Sequence, residues 1–152
     1  MIKNVKDTEI YKLHVLISIL DRSADEMLNS QYGLSYSQLM IMFMLDKYKQ
    51  LNQKELSLCM GLTEAAVSKQ IENMFHKEYL VREVDPKNRR KNMVFLTKSG
   101  QIIFDKANEL LMARAEEIFQ VLDSGEREIL NKVLNKLLEQ TNLLIPQSNN
   151  NL

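Results

Sequence analysis

From Thr8 to Ser30 the apolar residues Ile10, Leu13, Ile17, Leu20, Ala24 and Met27 recur at steps of three and four, the spacing of one face of an α-helix. Val15, Leu16 and Ile19 widen that seam, so the helix asks for cover on two sides, one partner inside its subunit and one outside. Gly33 ends the segment. Ser35 followed by Gln38 reads as a capping box for a helix extending to about Tyr48. Its run Leu39 to Leu45 is apolar all round, which predicts a central, buried helix. Asn52 with Glu55 repeats the box and opens a short helix over 53–60. Gly61 supplies a left-handed turn, and Thr63 caps a helix over 64–77 whose Val67, Ile71, Met74 and Phe75 face inward. Two short helices joined by a glycine turn make a helix-turn-helix.

After Tyr79 the period changes. Leu80 to Val84 and Met93 to Leu96 are short runs rich in β-branched or aromatic residues, separated by polar residues and a proline, which predicts a hairpin with a long exposed tip. Helical spacing returns from Thr97 to about Leu122, with Ile103, Ala107, Leu110, Leu111, Ile118 and Phe119 as the apolar set. Leu122-Asp123-Ser124 breaks that helix. A last one carries Ile129, Leu130, Val133, Leu134, Leu137, Leu138 and Leu144. The expected fold class is therefore mainly α with a small β-hairpin wing: a winged helix-turn-helix lobe over about 35–97, flanked by long helices over about 8–30 and 98–145. These would form one unit over 1–146, with the polar residues 147–152 as a disordered tail. The long helices carry more apolar surface than a small winged-helix unit can cover, which points to a homodimer.

Composition narrows the function. The formal net charge is zero, so any attraction to nucleic acid must come from local clustering rather than from the field of the whole molecule. Such a cluster stands at the expected hairpin tip, where Lys87, Arg89, Arg90 and Lys91 lie in the seven residues from Asp85 to Lys91, together with Asn88. These cations can neutralise phosphates, and an arginine fits a narrow minor groove, while Asp85 could brace Arg89 or Arg90 across the loop. On the preceding helix Glu64, Ala65, Ser68, Lys69 and Glu72 fall opposite the Val67-Ile71-Met74 stripe, where side chains would meet base edges in a major groove. An ordinary solvated face is the bland reading of that helix, and its two acids favour it. The position of a basic hairpin directly after it favours double-stranded DNA.

At these residues the chain resembles the MarR-type winged-helix regulators. The resemblance rests on Asp85-Pro86-Lys87-Asn88-Arg89-Arg90, then Val94, Leu96-Thr97 and Gly100, and on Leu56, Gly61 and Val67-Ser68 upstream. It implies a homodimeric transcription factor, usually a repressor, released from a palindromic operator by a small-molecule effector or by oxidation. The family often has aspartate where Asn88 stands, which leaves open which arginine is structural and which enters the groove. The competing reading is a helical dimeric protein-interaction module with a degenerate winged helix, which would have no need of the four basic wing residues.

Other chemistry finds little support. There is no glycine-rich phosphate loop, nucleophile elbow or paired-histidine zinc motif, so an enzyme is not expected, nor a cofactor. His14 and His76 belong to different elements, and no spacing suggests a metal site. Cys59 is the single cysteine, which excludes an intrachain disulfide, and it reads as a small hydrophobe beside Leu56 and Met60 rather than a redox sensor. Met40, Met42 and Met44 read as core before they read as an effector lining, and the ligand-binding residues stay unknown. The opening Met1-Ile2-Lys3-Asn4 is polar, and no window is apolar enough to span a bilayer, so a cytoplasmic protein with no membrane partner is expected.

Overall fold

The computed structural model describes the backbone of residues 4–85 and 88–144 and the side chains of 4–84 and 92–140. Among the described residues six α-helices and three short strands follow one another: α1 (Glu9–Tyr32), α2 (Tyr36–Tyr48), β1 (Leu51–Asn52), α3 (Gln53–Met60), α4 (Glu64–His76), β2 (Leu80–Asp85), β3 (Asn88–Leu96), α5 (Lys98–Phe119) and α6 (Ser124–Leu144), after a 3-10 turn at Val5–Asp7. This is the mainly α winged-helix architecture that the periodicity predicts. The chain divides into two compact units, Met1–Leu111 and Met112–Leu152.

The local signals act as expected in the first unit. Ser35 Oγ accepts from the Gln38 backbone amide at 3.1 Å while Gln38 Oε1 accepts from the Ser35 amide at 3.0 Å, closing the box at the start of α2. Asn52 and Glu55 repeat the exchange at 3.0 and 2.9 Å for α3. Such a cap stabilises a helix by about 1 kcal/mol. Gly61 ends α3 in the left-handed region at φ 63°, where a side chain would be strained.

The core of this unit gathers around α2, whose Leu39, Ile41, Met42 and Leu45 are all buried. They pack with Leu28 of α1, Leu56 of α3, Val67, Ile71 and Met74 of α4, Leu80 and Val94 of the sheet, and Phe104 of α5. Each fully buried side chain of this size contributes about 1.5–3 kcal/mol of transfer free energy. Met42 is wholly buried, with Met40 and Met44 packed against the same cluster, so the methionines of α2 serve the core. α1 buries Ala24 and Leu28 and leaves Ile10, Leu16, Ile17 and Ile19 exposed.

Three expectations need correction. The strand expected over 93–96 begins at Asn88, because cross-strand pairing rather than side-chain type carries a hairpin's outer rungs: Val84 pairs with Asn92 and Asp85 with Asn88, with a register irregularity between Val84 and Asp85. The tip is therefore shorter than expected. A further strand, β1, pairs Leu51 with Val94 and Asn52 with Met93, giving the antiparallel order β1-β3-β2. α5 stops at Phe119, three residues before Leu122, whose amide instead donates to the Phe119 carbonyl at 3.0 Å in a tightened closing turn.

The second unit holds the end of α5 and α6. Asp123 caps α6 by a reciprocal exchange with Glu126, at 2.9 and 3.0 Å. Arg127 and Glu116 form an exposed ion pair at 2.8 Å, which pulls the Glu116 carboxyl below its ordinary range through the hydrogen bond and charge of Arg127. Ile129, Val133 and Leu137 of α6 are exposed.

The start of α5 is fixed by a close approach. Thr97 Oγ1 donates to the Glu78 carbonyl at 2.7 Å and accepts from the Gly100 amide at 2.9 Å. This draws Gly100 onto the backbone of Tyr79, where an added Cβ would collide with the carbonyl oxygen and lie 2.9 Å from the carbonyl carbon. Gly100→Ala should therefore cost about 1–3 kcal/mol of stability, the usual penalty of overpacking. Urea unfolding of the purified variant measures it, and an unchanged midpoint would refute the close approach.

Candidate nucleic-acid interface

The outward face of α4 is set by its inward one. Val67 (0% exposed), Ile71 (1%) and Met74 (0%) form a wholly buried stripe, so the helix cannot roll without exposing it. Both ends are also tied. Thr63 Oγ1 accepts from the Ala66 amide at 3.2 Å at the N-terminus, and the Lys77 ammonium donates to the Gly33 carbonyl beyond the C-terminus. Near the C-terminal end the buried amide of Gln38 donates to Asn73 Oδ1 at 2.9 Å, joining α2 to α4. What remains outside is Glu64, Ala65, Lys69 and Glu72, all exposed, with Ser68 half-buried. All five residues expected on the outer face are brought together there.

The hairpin follows at once. In β2 Leu80 is buried and Arg82, two residues on, shares its side of the sheet. Leaving the core edge, the Arg82 guanidinium lies over the Phe75 ring at 4.6 Å and donates to Glu72 at 2.9 Å. Between the starts of α3 and α4 and this hairpin opens a groove of about 590 Å³, lined by Gln53, Glu64, Arg82 and Val94 among others. Gln53 Nε2 crosses from α3 to donate to the Glu64 carbonyl at 3.2 Å.

Sequence reasoning did not single out Arg82 or Gln53. An isolated arginine in a strand and a glutamine in a helix carry no signal until the partner elements are placed. The expected wing residues Asp85, Lys87, Asn88, Arg89, Arg90 and Lys91 have side chains outside the described residues, as does the tail 147–152.

Known proteins share this arrangement. Residues 34–91, from the loop before α2 into the hairpin, match the MarR family. The transcriptional regulator BilQ of Clostridium symbiosum is 24% identical over 105 residues, 69% of this chain and 73% of that protein. The crystal structure of wild-type apo MarR from E. coli superposes with a TM-score of 0.77 at 20% identity, covering 86% of this chain and 97% of that one. The S. aureus MepR–DNA complex gives 0.76 at 20% identity, covering 91% and 99%. Residues 34–91 thus resemble the MarR family in sequence, and the chain shares the winged-helix fold of these solved structures.

No cluster of histidine, cysteine and acidic residues could hold a metal ion among the described residues, and none of their helices is long and apolar enough to cross a membrane. Cys59 on α3 is half-buried rather than buried. Burial pushes its thiol up, the nearby Glu55 carboxylate adds to the shift, and Lys47 only partly offsets it. A raised pKa keeps the thiol protonated at neutral pH, and only the thiolate is nucleophilic. Alkylation by iodoacetamide at pH 7.5 should therefore run slower than for a cysteine in an unstructured peptide. A faster reaction would overturn this assignment.

Proposed function

We propose that the protein is a homodimeric, sequence-specific regulator of transcription that binds double-stranded DNA in the cytoplasm, acting as a repressor on a palindromic operator. The observation that carries this reading is the outer face of α4, held at a fixed angle by its buried stripe and followed directly by the β2–β3 hairpin. On this reading α4 enters the major groove with Glu64, Ala65, Ser68, Lys69 and Glu72 toward the bases. Lysine can reach guanine or phosphate there, and serine suits either base type. The hairpin residues Asp85, Lys87, Asn88, Arg89, Arg90 and Lys91 would bear on the flanking backbone and minor groove. The solved complex of MepR with DNA supports this use of the fold.

The dimer rests on apolar surface. α1 leaves Ile10 80% and Ile17 53% exposed, and α6 leaves Ile129 64% exposed. Uncovered apolar faces of this kind mark interfaces, and a two-fold pair is the commonest cover. The purified protein should sediment at twice the 17.7 kDa of one chain, and a strict monomer would refute the pairing. Release by a small-molecule effector is the regulation that the MarR resemblance implies.

Titration of duplex DNA at several salt concentrations tests the whole reading. Binding should weaken steeply as salt rises, because neutralised phosphates release counterions. Neutralising Arg89 and Arg90 together should weaken binding to every sequence, while changing Ser68 or Lys69 should alter preference among sequences. No loss in the double arginine variant would remove the wing from the mechanism. No duplex binding at any salt would leave the protein-interaction module as the better reading.

A further inference from the structure

A charged contact crosses from α4 to the hairpin at the edge of the core. Arg82 of β2 donates to Glu72 of α4 at 2.9 Å, and its guanidinium is seated over Phe75, one turn further along α4, at 4.6 Å from the ring centre. The two side chains remain 41% and 53% exposed. An ion pair that wet contributes little to stability. Its location gives it another consequence.

Glu72 shares the outer face of α4 with Ser68 and Lys69, four and three residues before it. A bare carboxylate there would be brought within about one Debye length, ~8 Å at physiological salt, of a polyanion. Repulsion of that kind is felt by every sequence alike, so it would weaken binding without improving discrimination. Arg82 removes it by pairing with the acid before DNA arrives. The same guanidinium, stacked on Phe75, ties the root of the hairpin to the recognition helix and so restricts their relative angle.

Resting on the DNA-binding reading above, we propose that Arg82 is a positioning residue for DNA recognition, which masks the charge of Glu72 on the reading face and braces the wing against α4. Arg82 acts through Glu72 and Phe75 and need not touch the nucleic acid. The pair would then explain how a reading face can carry an acid beside its lysine without forfeiting affinity.

A double-mutant cycle separates this role from a direct phosphate contact. Binding of a fluorescent duplex is measured for the unsubstituted protein, Arg82→Gln, Glu72→Gln and the double variant, with thermal unfolding followed in parallel. Arg82→Gln alone should bind on the order of tenfold more weakly, since like charges facing each other across an interface are costly. Glu72→Gln should bind more tightly than the unsubstituted protein, because it removes the acid from the reading face and frees the Arg82 cation. The double variant should recover to within about threefold of the unsubstituted protein, because the charge that Arg82 masks is gone. A double variant as weak as Arg82→Gln would overturn the proposal, since the loss would not run through Glu72, and an Arg82→Gln variant that binds normally would overturn it too. Should Arg82→Gln fail to fold, Glu72→Gln decides alone, and a clear loss of affinity there would show that the carboxylate itself is needed. If the unsubstituted protein ignores duplex DNA, the DNA-binding reading falls and carries this inference with it. Normal binding without recovery in the double variant defeats the inference only.

Discussion

The burial of Val67, Ile71 and Met74 against α2 is the constraint on which the site depends. A helix carrying a wholly buried stripe has no freedom to rotate, so the identity of its outward residues follows from the identity of its inward ones. The hydrogen bond from Gln38 to Asn73 and the reach of Lys77 to the Gly33 carbonyl then limit sliding and tilting at the C-terminal end. Specificity in a winged-helix protein needs this order of events. Base edges can be read only by side chains whose positions are settled before the duplex arrives.

The second requirement is that the hairpin keep a constant relation to that helix. Two contacts supply it, one at the base of the hairpin and one farther along β2. Gly100 and Thr97 clamp the outgoing chain onto Glu78 and Tyr79 at the base of β2, and Arg82 joins the strand to Glu72 and Phe75 one turn apart on α4. The core, α4 and the hairpin thus form a chain of restraints within the first unit. The long helices contribute something different, exposed apolar faces on α1 and α6 that the proposed pairing would cover.

Much of this was legible before any coordinates. The boxes at Ser35 and Asn52 and the turn at Gly61 were readable because each is closed by residues five apart or fewer, so the whole interaction is written locally. The stripe on α4 was readable because one period describes it. β1 was missed because two residues carry no periodicity, and Leu51 becomes a strand only through Val94 more than forty positions away. The outer rungs of the hairpin were missed because basic residues hide a strand whose pairing comes from its partner. Arg82 was missed for the same reason at the level of the site. Nothing local distinguishes it from other surface arginines until β2 is laid beside α4.

The central claim is the proposal that paired copies of this winged-helix domain present two fixed helices to one duplex. Selection of bound sequences from random double-stranded DNA tests it most directly. The account predicts an inverted repeat whose half-sites are centred about one helical turn, ~10 bp, apart. A single asymmetric half-site, or no enrichment over unselected DNA, would contradict it.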